Sequence, residues 1–286
     1  MKNNIKCPIC GSKNAEIFSA IANYELAKCK ECGMVWEYKP NADILSQYKD
    51  DYFVNDNPKG GYTNYFESMS INRKTFSDRL KKIQNKLGKK GKLLDVGCAL
   101  GDCLVEAKRM GWKEVEGLEV SDYGYKHTKE RGIKVIKGTL KDKTFKSNTF
   151  DAVTYQDVIE HITDPVLELK RVYKILKPGG VVYLVTPDIE GFWSKILGSL
   201  WYHYKPNEHV VYFSQRTIKA ALIKAGFIRI ETSKTYHVLT TQYILNRLRY
   251  YSYLLNIPLK IISETPLKNL AFRSYTGELE AWGRKI

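Results

Sequence analysis

The sequence predicts an α/β protein: a doubly wound, mostly parallel sheet preceded by a small cysteine-built module. Three observations carry this. From Lys92 onward, short apolar runs of strand length alternate with segments of helical periodicity. Cap residues and helix-ending glycines fall between those runs. Four of the six cysteines lie within the first 37 residues, in two Cys-x-x-Cys pairs.

The elements follow in order. Residues 1–37 hold the cysteine module. Residues 38–90 form a polar, Tyr-rich lead-in that ends in a helix, with Phe76, Leu80, Ile83 and Leu87 recurring on one face. Gly88 and Gly91 close it and lead into a strand. Residues 91–286 form the main domain. Its expected strands are 93–96, 115–120, 134–136, 151–155 and 181–186. Asp164 caps a helix that has Pro165 at its first position. Val166, Leu169, Tyr173 and Leu176 share a face of it, and Pro178-Gly179-Gly180 stops it. Ser214 caps the next helix, with Ile218, Ala221, Leu222 and Ala225 facing inward and Gly226 past its end. A strand over 226–232 is expected to lead into a basic, Tyr-rich helical insert at about 237–275, and a last strand over 277–282.

Composition narrows the class. A chain of 286 residues with 43% apolar content and 20 Tyr can bury a core and is not a disordered polymer. No apolar stretch opens the chain, so no secretory signal is expected. The nearest approach to a membrane span, 243–263, is broken by Arg247, Arg249, Pro258 and Lys260. The expected compartment is the reducing cytoplasm, where six cysteines are thiols and not three disulfides. The net charge of +15 favours anionic partners, although the lysines are dispersed over the chain, as on ordinary solvated faces.

Cys7 and Cys10 precede Gly11, and Cys29 and Cys32 precede Gly33, with eighteen residues between the pairs. Two residues between thiolates let one turn present both sulfurs to one ion, and the following glycine relaxes the turn. Four soft ligands suit tetrahedral Zn²⁺, and the spacing is that of a zinc ribbon. With every ligand supplied by protein, such a site is closed and structural. Cys98 and Cys103 stand apart and read as packing residues.

The run from Leu93 to Asp102, with Gly97, Ala99 and Gly101, is a strand entering a small-residue turn and then a helix. Such a turn lets a ligand approach the backbone at a helix N-terminus. Glu119 ends the next strand, eighteen residues past Gly101, where a carboxylate accepts hydrogen bonds from both ribose hydroxyls. A dinucleotide fingerprint wants glycine where Asp102 stands, and no Lys-Ser or Lys-Thr follows to make a P-loop.

These residues resemble motif I of class I S-adenosylmethionine (SAM)-dependent methyltransferases. The resemblance continues through Leu118-Glu119-Val120-Ser121, Phe150-Asp151-Ala152-Val153, Val158-Ile159-Glu160-His161-Ile162-Thr163-Asp164-Pro165, Leu176-Lys177-Pro178-Gly179-Gly180, Asn207-Glu208-His209-Val210-Val211-Tyr212-Phe213-Ser214 and Ala225-Gly226-Phe227. It covers about 92–232 and departs at Ala99, where the family usually has glycine. It implies a Rossmann-like, mostly parallel seven-stranded sheet. It also implies that Gly97, Cys98, Ala99 and Gly101 cradle the methionine part of SAM, with Asp95 supporting the loop. Glu119 would hold the ribose, Val120 would also contact the cofactor, Thr139 and Leu140 would flank the adenine, and Gln156 would sit beside the methionyl part. From its position, Tyr65 is a candidate for the cofactor carboxylate.

Methyl transfer to an alcohol needs an aligned nucleophile and a proton acceptor, but no metal. His161 follows the fourth strand of the domain, where a base belongs, and Glu160 is placed to orient it; the alternative is that the two brace the loop. His209 is the second candidate base. Trp193, Trp201, Tyr202, Tyr204 and Tyr212 would stack on a sugar or form the core of a lid. The Pro-Pro-Tyr/Phe signature of nucleic-acid amino-methyltransferases is absent at Tyr155-Gln156-Asp157-Val158, as is the cysteine of cytosine C5 enzymes. The chain resembles zinc-ribbon-bearing bacterial methyltransferases of sugar and surface-glycan pathways. That implies a sugar, nucleotide-sugar or glycan precursor as acceptor; members acting at sugar carbon usually carry a further C-terminal domain for which this sequence has no room, so O-methylation is expected, with peripheral membrane contact open to the insert. The alternatives are an RNA methyltransferase acting on ribose or base, and a non-catalytic SAM-binding partner protein. The sequence leaves the oligomeric state open.

Overall fold

The computed structural model describes residues 6–21, 24–39, 65–143, 145–206, 208–242, 244–245, 265 and 270–286. Strands β1 (Ala15–Ile21), β2 (Tyr24–Cys29) and β3 (Val35–Glu37) form an antiparallel meander. Helix α1 (Tyr65–Leu87) leads into the main domain. There follow β4 (Lys92–Val96), α2 (Asp102–Arg109), β5 (Glu114–Glu119), α3 (Asp122–Glu130) and β6 (Lys134–Lys137). Next come β7 (Phe150–Gln156), α4 (Pro165–Ile175), β8 (Leu176–Pro187), α5 (Phe192–Leu197), β9 (Val211–Tyr212) and α6 (Gln215–Ala225). The chain ends with β10 (Ile228–Lys234), β11 (His237–Thr240), β12 (Ala271–Ser274) and β13 (Glu278–Arg284).

The central sheet has seven strands in the order β10-β13-β8-β7-β4-β5-β6. Strands β4 to β8 run parallel, and β13 lies antiparallel between β8 and β10. The first six residues of β7 are buried, as a strand covered on both faces requires. One face packs Leu169, Val172 and Ile175 of α4 and Ile218, Ala221 and Leu222 of α6 onto the strands. The other packs Leu80 and Ile83 of α1 and Leu104 and Ala107 of α2 against Tyr183 and Trp282. Each Leu, Ile or Val among them, fully buried, contributes about 1.5–3 kcal/mol, so the two layers fix the strand ends that carry the site.

The predicted caps form. The Asp164 carboxylate accepts the Leu167 N–H at 2.9 Å with Pro165 at the first helical position. Ser214 and Thr217 make a reciprocal capping box, and Gly226 ends α6 at φ 101°. One boundary is corrected. Leu176 is not on the α4 face, because the helix ends at Ile175 and β8 starts at once. Pro178-Gly179-Gly180 is not the stop but a detour inside β8: Phe150 pairs with Leu176 and Ala152 with Val181. There Gly179 takes φ +77°, and its N–H and the Gly180 carbonyl pair with Lys285.

The helical insert expected at about 237–275 is also corrected at both ends, which pair as the antiparallel strands β11 and β12. Alternating Val238, Thr240, Phe272 and Ser274 suit that pairing better than a helix. The middle of the insert lies outside the described residues. So does the side chain of Tyr65, the first residue of α1.

The cysteine module is joined to the main domain by a strand. β9, from the segment after β8, pairs with β3 through Val35↔Tyr212 and Trp36↔Val211, completing a four-stranded sheet. Cys7, Ile9, Ala27, Met34 and Trp36 belong to the same core as α4 and α6.

Candidate functional site

The carboxyl ends of β4, β5 and β7 converge where the strand order reverses, the crevice in which open α/β sheets bind ligands. After β4 the chain takes φ +69° at Gly97, +49° at Ala99 and +79° at Gly101. A Cβ on Gly97 would lie 2.5 Å from Val158 Cγ2, and one on Gly101 2.9 Å from Thr128 Cγ2, so both glycines are needed for close packing as well as for conformation. Ala99 holds a left-handed conformation without glycine's freedom.

Glu119 ties this loop to the next strand. Its carboxylate accepts the Ala99 N–H at 2.8 Å and the Ser121 N–H at 2.9 Å. Burial pushes its pKa up, against the pull of those N–H groups. Gly138 donates to the Glu119 carbonyl at 2.8 Å, which brings Thr139 and buried Leu140 to the same corner. Thr139 Oγ1 itself donates to Asp142 at 2.6 Å. Val120, half-buried, follows Glu119 directly. Cys98 points into the core, with only its backbone in the turn.

Under the loop, Asp95 accepts the Thr154 hydroxyl at 2.5 Å. Burial raises its pKa to about 6, partly offset by the bonds from Thr154 and Gln156. Gln156 also donates to Cys103 Sγ at 3.2 Å and accepts from Arg79 at 2.9 Å. Arg79 is the group that the sequence reading missed. It is 4% exposed on α1, with Nη2 3.0 Å from His237 Nε2 and 3.8 Å from Glu278, and its Nε has no partner among the described residues. In the sequence it is one cation among many on a Lys-rich helix, so only the fold singles it out. Asp157 adjoins this group at φ +58°, its pKa raised to about 7 by burial and then by Glu278.

Glu160 and His161 lie just past β7, in a short 3₁₀ turn, Ile159–His161. Glu160 is 1% exposed; its Oε2 accepts the Thr186 hydroxyl at 2.9 Å. Its backbone carbonyl receives the Val210 N–H at 2.9 Å, which anchors the segment leading into β9. That segment brings His209 onto His161, ring centroids 4.9 Å apart. His161 Nδ1 lies 2.6 Å from the Glu208 carbonyl, and His209 Nδ1 2.9 Å from the His203 carbonyl. Burial pushes His161 down to about 4, partly offset by the Glu208 carbonyl, and holds His209 far below the usual imidazole range. Both rings are therefore neutral at neutral pH. Of the aromatic set, Trp201 and Tyr212 are buried with Leu26, Val35 and Ile189 between module and domain, while Trp193 is exposed.

In the cysteine module the two turns repeat each other. Gly11 and Gly33 take φ +77° and +76°, and each donates its N–H at 2.9 Å to the first cysteine of its pair. Cys7–Cys32 and Cys10–Cys29 sulfurs are 3.4 Å apart, and all four lie within 4.8 Å of one another.

A glycine-turned corner facing an acid on the adjacent strand, in a sheet with one antiparallel strand next to its edge, defines the class: a Rossmann-like methyltransferase domain. The chain belongs to the family described as "Methyltransferase domain", which matches residues 69–231, more than half its length. Among its relatives is a rice (Oryza sativa subsp. japonica) 2-methyl-6-phytyl-1,4-hydroquinone methyltransferase, 27% identical over 143 residues, 48% of this chain and 41% of that protein. A demethylmenaquinone methyltransferase of Geobacillus is 36% identical over 127 residues, 40% of this chain and 53% of that protein. The chain thus spans about half or less of these curated relatives. Among solved structures, the geranyl diphosphate C-methyltransferase of Streptomyces coelicolor superposes with a TM-score of 0.55 at 15% identity, over 87% of this chain and 100% of that one. A possible histamine N-methyltransferase of Thermotoga maritima gives 0.53 at 20%, over 78% and 93%. At these identities the likeness is one of fold.

Proposed function

We propose that this protein transfers the methyl group of SAM to a hydroxyl group, with a sugar, nucleotide-sugar or glycan precursor as acceptor. The observation that carries the cofactor assignment is Glu119: a buried carboxylate at the end of β5, hydrogen-bonded to the turn it faces. The residues fit SAM. Glu119 has lone pairs for the ribose diol, the turn from Gly97 to Gly101 admits a ligand against the backbone, and Val120, Thr139 and Leu140 adjoin for the adenine. Gln156 and Arg79 supply polar and cationic groups toward the methionyl end. SAM supplies an electrophilic methyl on a sulfonium; the protein's part is to align the acceptor and provide for its proton. The His161 and His209 pair, held neutral by burial at the carboxyl end of β7, offers an acceptor uncharged polar partners there and supports an alcohol as nucleophile.

A second acceptor class has support of its own. Relatives are named for a phytyl hydroquinone and for demethylmenaquinone, and Phe192, Trp193, Ile196, Leu197 and Leu200 form an exposed apolar run. A prenylated quinol is the acceptor that this run favours. The RNA reading rests on the net charge of +15 and the zinc-ribbon spacing of the cysteines.

The module's four sulfurs suit Zn²⁺: a tetrahedron with Zn–S of about 2.3 Å has edges of about 3.8 Å, and the sulfurs all lie within 4.8 Å. Cys7, Cys10, Cys29 and Cys32 would hold it as a structural ion.

The test is transfer of labelled methyl from SAM to a panel of deoxysugar nucleotides, lipid-linked glycans, quinols and RNA, alongside calorimetry with SAM. Glu119→Ala is expected to weaken SAM binding by about 1–3 kcal/mol through the lost hydroxyl bonds. Undiminished affinity in that variant overturns the cofactor assignment. Label entering quinols or RNA but no sugar overturns the acceptor.

A further inference from the structure

Glu160, His161 and His209 do more together than brace a loop. One potential donor atom from each lies within 4.8 Å of the others. The Glu160 carboxylate is half satisfied: Oε2 takes the Thr186 hydroxyl, while buried Oε1 has no hydrogen-bond partner among the described residues. A buried carboxylate oxygen without a partner is costly and calls for a cation or a proton. The two rings are held as metal ligands are held. Each has Nδ1 directed at a backbone carbonyl, Glu208 for His161 and His203 for His209, which in the neutral tautomer leaves the lone pair on Nε2. The Asp157 main-chain carbonyl, like that of Glu208, accepts from the His161 ring and fixes its orientation. Asp157 and Glu278 add negative potential at Glu160, while Lys205 opposes a cation at both histidines.

We propose that Glu160, His161 and His209 form a binding site for a divalent transition-metal ion at the carboxyl end of β7. Two imidazoles and a carboxylate suit zinc, manganese, iron or cobalt, unlike the four thiolates of the N-terminal module. The site is assembled by tertiary structure, since His209 arrives 48 residues after His161 on the segment tied down by Val210 N–H to the Glu160 carbonyl. For whether the ion binds, the inference stands on these residues alone; for what the ion does, it rests on the methyltransferase reading. An imidazole that ligates through Nε2 does not act as a base. The ion instead lowers the pKa of the acceptor hydroxyl. The proton leaves to solvent, the oxygen bonds to the methyl carbon, and the C–S bond breaks with its electron pair passing to sulfur.

Cobalt distinguishes the two sites. Wild-type protein reconstituted with Co²⁺ is expected to take two equivalents. One should give the intense near-ultraviolet charge-transfer band of thiolate ligation, the other only weak visible bands of nitrogen and oxygen ligation. Glu160→Gln and His209→Ala are each expected to lose the second equivalent and keep the first, with SAM calorimetry on the same samples reporting the integrity of the fold. Uptake of a single equivalent by the wild type, carrying the thiolate band alone, overturns the proposal without recourse to any variant. Retention of both equivalents by both variants does so as well. Two equivalents bound without methyl transfer to any hydroxyl acceptor would uphold the site and discard the O-methylation reading.

Discussion

Gly97 carries two constraints at once, a left-handed φ of +69° and a Cβ direction that ends 2.5 Å from Val158 Cγ2. Gly97→Ala therefore adds conformational strain and a collision with a stiff β-branched side chain, together about 2–4 kcal/mol. A fall in thermal midpoint with loss of SAM binding is expected; unchanged unfolding would show that the turn is looser than described. Ala99→Gly is the counterpart. It relieves a left-handed alanine at φ +49°, worth about 1 kcal/mol, and loosens the unfolded chain by a similar amount. Stability within about 1 kcal/mol of wild type, measured by denaturant unfolding, is the expected outcome. The turn at these positions and the place of Glu119 at the end of β5 were legible because backbone chemistry shows in residue type: glycine marks turns, and an acid closing a strand falls at the sheet's carboxyl edge. Arg79 and the His161–His209 contact were not, because one cation among several on a Lys-rich helix and two histidines far apart in sequence carry no local signal.

At the scale of elements, legibility followed capping chemistry. α4 and α6 begin where Asp164 and Ser214 predicted, since a side-chain oxygen bonding the N–H three residues on is a local event. The end of α4 was misplaced because β8 follows without a loop, and Pro178-Gly179-Gly180 reads as a stop whether it ends a helix or detours a strand. Two-residue β9 has no periodicity to read. The start of β7 shows how charge locks an element. Asp151 accepts the Lys92 N–H at 2.8 Å and pairs with Lys177 and Lys89, each at 2.7 Å. Although burial raises its pKa, these bonds hold it down at about 2. A carboxyl depressed in the folded state stabilises above its unfolded pKa, about 4, and that contribution drains away as pH falls from there toward 2. Asp151→Asn should lower stability at pH 7 and flatten its decline between pH 4 and 2. An unaltered acid limb in unfolding experiments would mean the lysines do not hold this carboxylate.

At the scale of the whole molecule, the cysteine module and the methyltransferase domain share structure that a linear reading separates. The sequence marks 1–37 as a unit because its cysteines are local. It does not reveal that β9 closes the module's sheet or that Trp36 and Met34 sit in the core of α4 and α6. The consequence is coupling. If zinc holds the two cysteine turns, removing it loosens β1 to β3, and β3 is the hydrogen-bonding partner of Val211 and Tyr212. His209 lies two residues before β9, against His161, whereas Glu119 and the glycine turn belong to β4 and β5, held by the packed central sheet. Chelation or Cys29→Ser should therefore lower the thermal midpoint of the entire chain in one transition, and not melt a separate module first. Cys29→Ser, which leaves the Glu160, His161 and His209 group in place, should also reduce turnover more than SAM affinity. Calorimetric scans of metal-replete and chelated protein, with SAM titrations of each below the transition, test both parts. Two well-separated transitions, with the larger unmoved by chelation, would mean that β9 and the common core transmit nothing. SAM affinity falling in step with turnover would mean that metal loss reaches the central sheet directly.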